Sequence, residues 1–384
     1  MVNLPRAALW RRLVALAFGL AVIRILTPQI CGIGSDSWLH GQRDVRESLA
    51  NHLVAFEARD DRSRHEATAN RFAGEWALVT HQMTALGLAQ VVLAHPELKE
   101  RYLPTLAVAA GKTFFREMRG FGTRAWHGQD AMASLSSNNG HAYMAYPALA
   151  VGMARLVGAT LPKRVIRDHD RLIAAFVRRL GRSRTGLIET YPKEAYPTDV
   201  AAVAGAIALH GRVTGRDYSR VLDRWAAAVR RVQVHQPSGF VYQRMDAKNG
   251  KPRDAPRGSG TALAGYFAGF ADRSLREFFT KSVTAHESTC FGFSGIREHA
   301  EGFSGGGDVD SGPVVLGVSV AATGFALALA RSPAHQKVFT RLMRTVGLFG
   351  IPTSQKDQRF FASGGPIGNA LLLAMLTSGP EVAP

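Results

Sequence analysis

The chain has 384 residues, 46% hydrophobic and 20% charged, a balance that excludes a disordered protein and fits a globular one. That length supplies one large domain or two ordinary ones, with enough chain to bury a sizeable core. The formal charge of +17 comes mostly from arginine, scattered in pairs such as Arg11-Arg12, Arg178-Arg179 and Arg230-Arg231. A nucleic-acid binder gathers its charge on one face and interleaves aromatics. These pairs read instead as the solvated faces of amphipathic helices, with attraction to an anionic membrane as the second reading. No nucleic-acid partner is expected.

Cys31 and Cys290 cannot build a framework, and the sequence leaves their pairing open. With no CxxC and no histidines at zinc spacing, no metal is expected. At the N-terminus Arg6, Arg11 and Arg12 precede an apolar run, Leu13 to Ile23, which Arg24 interrupts. Residues 1–35 thus read as a signal peptide or signal anchor with a linker. The run itself falls short of the roughly 20 residues a membrane span needs. A basic flank before an apolar run leaves the domain outside the cytoplasm, on the periplasmic side. The alternative is an amphipathic first helix packed on the domain.

From Glu75 onward two kinds of helical segment alternate. One kind is apolar all round: Trp76–Leu93, Gly140–Leu156, Thr198–Leu209, Gly258–Phe270, Pro313–Ala330 and Pro366–Leu376. The other is amphipathic: Arg164–Leu180, Tyr218–Val232, Ser274–Val283 and Ala334–Val346. A helix that is hydrophobic on every side must be surrounded by protein. The alternation therefore predicts an inner and an outer ring of helices, an all-α (α/α)6 toroid over residues 36–384. Strand evidence is thin; Phe240-Val241-Tyr242 followed by Asn249-Gly250 suggests one small hairpin.

In such a double ring the inner helices begin on one face, so the polar residues just ahead of them are the candidates for chemistry. Four junctions stand out. Asn138 and His141 precede Ala142–Leu156, and a histidine there can bind a hydroxyl or act as acid or base near neutral pH. The segment from Glu189 to Asp199 gathers Glu189, Tyr191, Glu194, Tyr196 and Asp199. A carboxylate against an apolar wall, as Asp199 is expected to be, can be raised into the range of an acid catalyst; otherwise it caps a helix. Arg257 precedes Thr261–Phe270 and can clamp an anion or pair internally. Asp308 and Asp310 follow three glycines and precede Pro313, but the glutamate of a calcium loop is missing.

An ordered series of landmarks from about Glu75 to Ala374 resembles the linalool dehydratase/isomerase family. They are ThrAlaLeuGlyLeuAla at 84–89, GlyHis at 140–141, GlyLeuIleGlu at 186–189 with Pro192, GlyArgAspTyr at 215–218, AspValAspSerGly at 308–312 and AlaLeuAlaLeuAlaArg at 326–331. The resemblance implies an (α/α)6 barrel and acid/base elimination or isomerisation of an allylic alcohol in an apolar cavity, with no cofactor. It implies that His141 contacts the substrate hydroxyl and that Tyr242 stands near an active-site tyrosine. Where the family places two cysteines this chain has Thr190 and Asp199, so the thiol chemistry does not carry over.

Three readings follow. The first is a cofactor-independent enzyme that eliminates water from, hydrates or isomerises a small hydroxylated substrate. In it Asp199, His141, Tyr191 and Tyr242 are catalytic, while Asn138, Glu189, Glu194, Tyr196, Arg257, Asp308 and Asp310 bind substrate. The second is a carbohydrate-active toroid: a glycosidase, uronyl epimerase or polysaccharide lyase. The third is a membrane-tethered binding protein without catalysis. Association with a membrane through the N-terminal segment, or with further copies of the chain, stays open.

Overall fold

The computed structural model describes residues 6–59, 73–308 and 310–379. Residues 1–5 of the N-terminal segment, Val309 of the 308–312 landmark and the last five residues lie outside them. The chain is mainly α, 63% helix and 10% strand. In chain order the helices are α1 (Arg6–Cys31), α2 (Ser35–Leu39), α3 (Arg43–Ala58), α4 (Ala73–Ala94), α5 (Lys99–Lys112) and α6 (Gly120–Ala125). There follow α7 (Ala145–Leu156), α8 (Lys163–Arg182), α9 (Pro197–Thr214), α10 (Ser219–Ala228) and α11 (Gly258–Ala268). The last four are α12 (Arg273–Ala285), α13 (Val320–Ala330), α14 (Gln336–Gly350) and α15 (Gly365–Thr377).

The apolar helices are the buried ones. Most side chains of α4, α9 and α13 are hidden, as a helix without a polar face requires. Each apolar helix packs on the next, α4 on α7, α7 on α9, α9 on α11, α11 on α13 and α13 on α15, and α15 returns to α4. Small residues permit this closeness: a Cβ at Gly205 would sit 3.0 Å from the Phe267 carbonyl oxygen. Amphipathic helices lie against them, α3 on α15 and α4, α5 on α4 and α7, α8 on α7 and α9, and α12 on α11 and α13. On α8 the buried residues Val165, His169, Leu172, Ile173, Phe176 and Leu180 form one stripe at helical spacing.

Several expectations are corrected. The apolar segment at 313–330 is helical only from Val320, because Val314–Val315 (β5) and Val318–Ser319 (β6) first form a hairpin. That hairpin joins Glu287–Cys290 (β3) and Phe293–Arg297 (β4) in a four-stranded sheet of order β3-β4-β6-β5. The hairpin at 240 closes in both directions: Val234–His235 (β1) pairs with Phe240–Val241 (β2), and beyond β2 Tyr242 and Met245 bridge Pro256 and Pro252 antiparallel across the turn that holds Asn249-Gly250. A further hairpin pairs Pro352–Gln355 (β7) with Gln358–Phe361 (β8). Most of these strands are two to four residues long, too short for alternation to register as a sequence pattern. Arg179 is buried, not solvated, and both cysteines are free thiols.

Helix α1 continues through Arg24 to Cys31, where the sequence pattern breaks off. It is long and apolar enough to span a membrane or to act as a signal sequence. Its side chains from Trp10 to Leu26 are almost all exposed, which rules out an amphipathic helix packed along the domain.

Candidate active site

Three carboxyls meet where the apolar helices begin. Glu75 lies in the first turn of α4 and Asp199 in the first turn of α9, while Asp310 comes from the loop ahead of β5. Asp199 is held at both oxygens: Oδ1 accepts from the Tyr146 hydroxyl at 2.5 Å and Oδ2 from Thr190 Oγ1 at 2.6 Å. Burial raises its pKa against the pull of these two donors. Glu75 is pushed up to about 7 by burial, then by the charges of Asp310 and Asp199. Asp310 is exposed as a residue, yet its Oδ2 accepts from buried Gln243 at 3.0 Å. Its carboxyl rises to about 6, through burial and then through Asp308 and Asp199.

Two phenols complete the group. Tyr191 donates to Glu75 Oε1 across a long 3.5 Å, and Tyr146 sits in the first turn of α7. Burial and the surrounding carboxylates raise both phenol pKa values, so both remain protonated donors at neutral pH. The loop that carries Tyr191 is shaped by a tight turn, with Lys193 at φ 67° and a Tyr191–Glu194 bridge, and by Pro197 opening α9.

His141 stands beside this group. It is not in a helical turn but in the left-handed region, at φ 61°, one residue ahead of a 3-10 turn. Its ring packs on Trp126 at 4.3 Å between centroids. Tyr143 then follows at 6.1 Å, and Tyr191 at 6.2 Å from Tyr143. Burial, with help from the Arg179 charge, lowers His141 to about 4, so the imidazole is neutral at pH 7. Arg179 fixes the loop ahead of it by donating to the carbonyls of Ser134, Ser137 and Gly140.

The other expected residues have local partners. Asn138 is exposed and accepts from Arg182, while Asn139 receives the amides of Gly140 and Glu189. Glu189 is half-buried. Glu194 pairs with Arg244 at 2.7 Å and accepts from Tyr196. Arg257 pairs with Asp254 and Asp308, and Asp308 also accepts the amides of Asp310 and Ser311. Despite its burial, the Ser311 amide and Arg257 hold Asp308 below the usual carboxylate range. Tyr242 packs its ring on His235 at 6.0 Å. Among the described residues no hydrogen bond engages its hydroxyl. Glu75 and Tyr146 escaped the sequence reading, although the first-turn position that singled out Asp199 applies equally to both.

An open cavity of about 360 Å³ is lined by Trp76, which follows Glu75 in the chain, and by Gly307, Asp308, Gly312 and Pro313, which flank Asp310. A second, of about 170 Å³, lies between α3 and β8 around His52 and Phe360 and holds none of these groups. His169, Asp170 and His210 bring possible ligand atoms within 4.8 Å of one another. Arg155 already bonds His169 Nδ1 at 2.8 Å and Asp170 Oδ1 at 2.5 Å, so a guanidinium supplies the cation there. No protein-family model matches the chain, and no curated protein sequence matches it.

Proposed function

We propose that the six apolar helices form the inner ring of an (α/α)6 toroid and that its open end is the active site of an acid/base enzyme. The ring reading is supported by the unbroken order of packing from α4 round to α15 and back. One observation carries the functional reading: Glu75, raised to about 7, stands among Asp199, Asp310 and the donor Tyr191. A group poised near neutral pH can both give and take a proton, which is the requirement for elimination, hydration or isomerisation of a hydroxylated substrate.

Glu75 is the proton-transfer group in this reading. Asp199, committed at both oxygens, orients Tyr146 toward the substrate, and neutral His141 serves as a hydrogen-bonding partner for a hydroxyl. The reaction needs no cofactor. A likeness to linalool dehydratase/isomerase chemistry in the absence of its two cysteines is consistent with carboxyls replacing thiols as the acid/base pair.

A carbohydrate-active reading is favoured by a different observation. The cavity is open and is lined by Trp76 and the Asp308 carboxyl, an aromatic face and an acid of the kind that sugar chemistry uses. A panel of allylic alcohols, glycosides and uronates, with Glu75→Gln as control, tests both. Turnover of an allylic alcohol that Glu75→Gln abolishes supports the first reading, and turnover of a glycoside or uronate the second. Turnover indifferent to Glu75 removes the proposed centre.

A further inference from the structure

Among the described residues, the segments that lead from an amphipathic helix into the next apolar one lie at the end where Glu75, Tyr146 and Asp199 begin their helices. The helices α7, α9 and α11 run parallel: Tyr146 meets Asp199 near their starts and Gly152 meets Leu209 further on, and Thr198 meets Gly260 as Gly205 meets Phe267. All the hairpins fall in these connections, and most large apolar side chains exposed outside α1 lie in them or at the helix ends that flank them. Phe291 is 62% exposed, Val315 62%, Leu316 92%, Val320 58%, Phe349 67% and Ile351 57%. A patch of this kind on one end of a domain marks an interaction surface.

Helix α1 leaves the domain at the same end. Pro28 rests on Gly292 at the tip of the β3–β4 hairpin, and the Cys31 carbonyl lies against Gly347 near the end of α14. Arg24 lies over the Phe291 ring at 5.0 Å. The 26 residues of α1 make a rod. Its residues 6–23, ahead of the contacts with the domain, rise about 27 Å at 1.5 Å per residue, close to the thickness of a bilayer core of about 30 Å. Exposed Arg24, Arg297 and Lys356 stand among the apolar side chains, as groups that meet lipid phosphates do. Gly312 and Pro313, which line the open cavity, immediately precede Val315 and Leu316.

We propose that this end of the domain is seated on the bilayer that α1 enters, so that the cavity opens toward lipid. Its substrate is then a membrane-dissolved hydroxylated compound. This last step rests on the acid/base reading of the Glu75 site; the seating itself does not.

The test uses the full chain in phosphatidylcholine vesicles, with and without phosphatidylglycerol. An environment-sensitive fluorophore is attached at native Cys290 in a Cys31→Ser background, or at Leu316→Cys or Thr160→Cys after both native cysteines become Ser. Thr160 is exposed in the α7–α8 connection at the opposite end. Bromine-bearing lipid chains are expected to quench the labels at 290 and 316 several-fold and to leave that at 160 unchanged. Labels at 290 and 316 as wet as that at 160, on a chain that stays with the vesicles in high salt, overturn the seating. So does protection of both sites in detergent with cross-linking to a second copy, because another chain then covers this end. Loss of the acid/base reading would show separately, as turnover insensitive to Glu75 with the quenching intact.

Discussion

The Tyr146 hydroxyl donates to Asp199 Oδ1 at 2.5 Å, tying the first turn of α7 to that of α9. The bond turns a helix-start carboxylate, which would otherwise cap its own backbone, into a device that holds a phenol. If the pair acts as a unit, removing either half costs as much as removing both. Tyr146→Phe and Asp199→Asn are each expected to lower kcat by roughly 10²-fold, the low end of the acid/base range. The double variant should be no worse than either single one. Additive losses in that cycle would mean that the two side chains act independently.

Glu75 gives a pH signature that needs no substrate. Its folded pKa of about 7 lies above the ordinary 4.5, so the folded state prefers the protonated form. The stability this contributes is complete below pH 4.5 and is lost as pH rises through 7. Glu75→Gln keeps a neutral side chain at every pH. It should therefore match the parent in Tm at pH 4 and exceed it at pH 8. Equal Tm values at pH 8 would show that the carboxyl is hydrated as in water.

The apolar helices were legible because burial on every side leaves a strong mark on the sequence, which five of the six segments retain within a few residues. The sixth failed at 313–319, where Val314 to Ser319 read as apolar helix but Gly312 and Gly317 turn the chain into a hairpin. The candidate site was legible in part: Asp199 stood out as a carboxylate against an apolar helix and Asp310 as an acid between three glycines and Pro313, and each is near enough for the charge of Asp199 to raise Asp310. Glu75 begins the first apolar helix, and no cluster of polar residues next to it drew attention to its position. Arg179 was misplaced because a charged pair on an amphipathic helix reads as surface, and only the fold reveals three carbonyls waiting for a donor.

Those three carbonyls make Arg179 the chief support of the loop that carries His141. The residue is 2% exposed and donates to Ser134, Ser137 and Gly140. Arg179→Met keeps most of the volume and leaves the acceptors without their donor. A loss of about 3 kcal/mol is expected, in the range for buried bonds to a charged donor, read by denaturant unfolding. A loss within experimental error would mean that the loop finds other donors.

His141 itself should stay neutral far into acid. Burial and Arg179 lower it to about 4. Its ring signals in an NMR titration are expected to hold still from pH 8 to pH 5. In linkage terms a depressed histidine favours the fold at high pH, and that contribution fades as pH falls from 6.5 to about 4. A His141 midpoint near 6.5 would show the ring to be open to water, and its packing on Trp126 would then need revision.

The seat of α1 turns on one glycine. A Cβ at Gly347 would stand 2.1 Å from the Cys31 carbonyl oxygen, a distance no relaxation of a side chain can relieve, because both partners are backbone. Gly347→Val must therefore push α1 off α14. The core of α14, at Phe339 and Leu342, faces α13 and lies away from that contact, so the domain should keep its fold. The cost, about 1–3 kcal/mol as for other overpacked sites, should appear as faster proteolysis between Cys31 and Arg43 with little change in Tm. If cleavage there is unchanged, α1 does not rest on Gly347, and the end at which it leaves the domain must be drawn elsewhere.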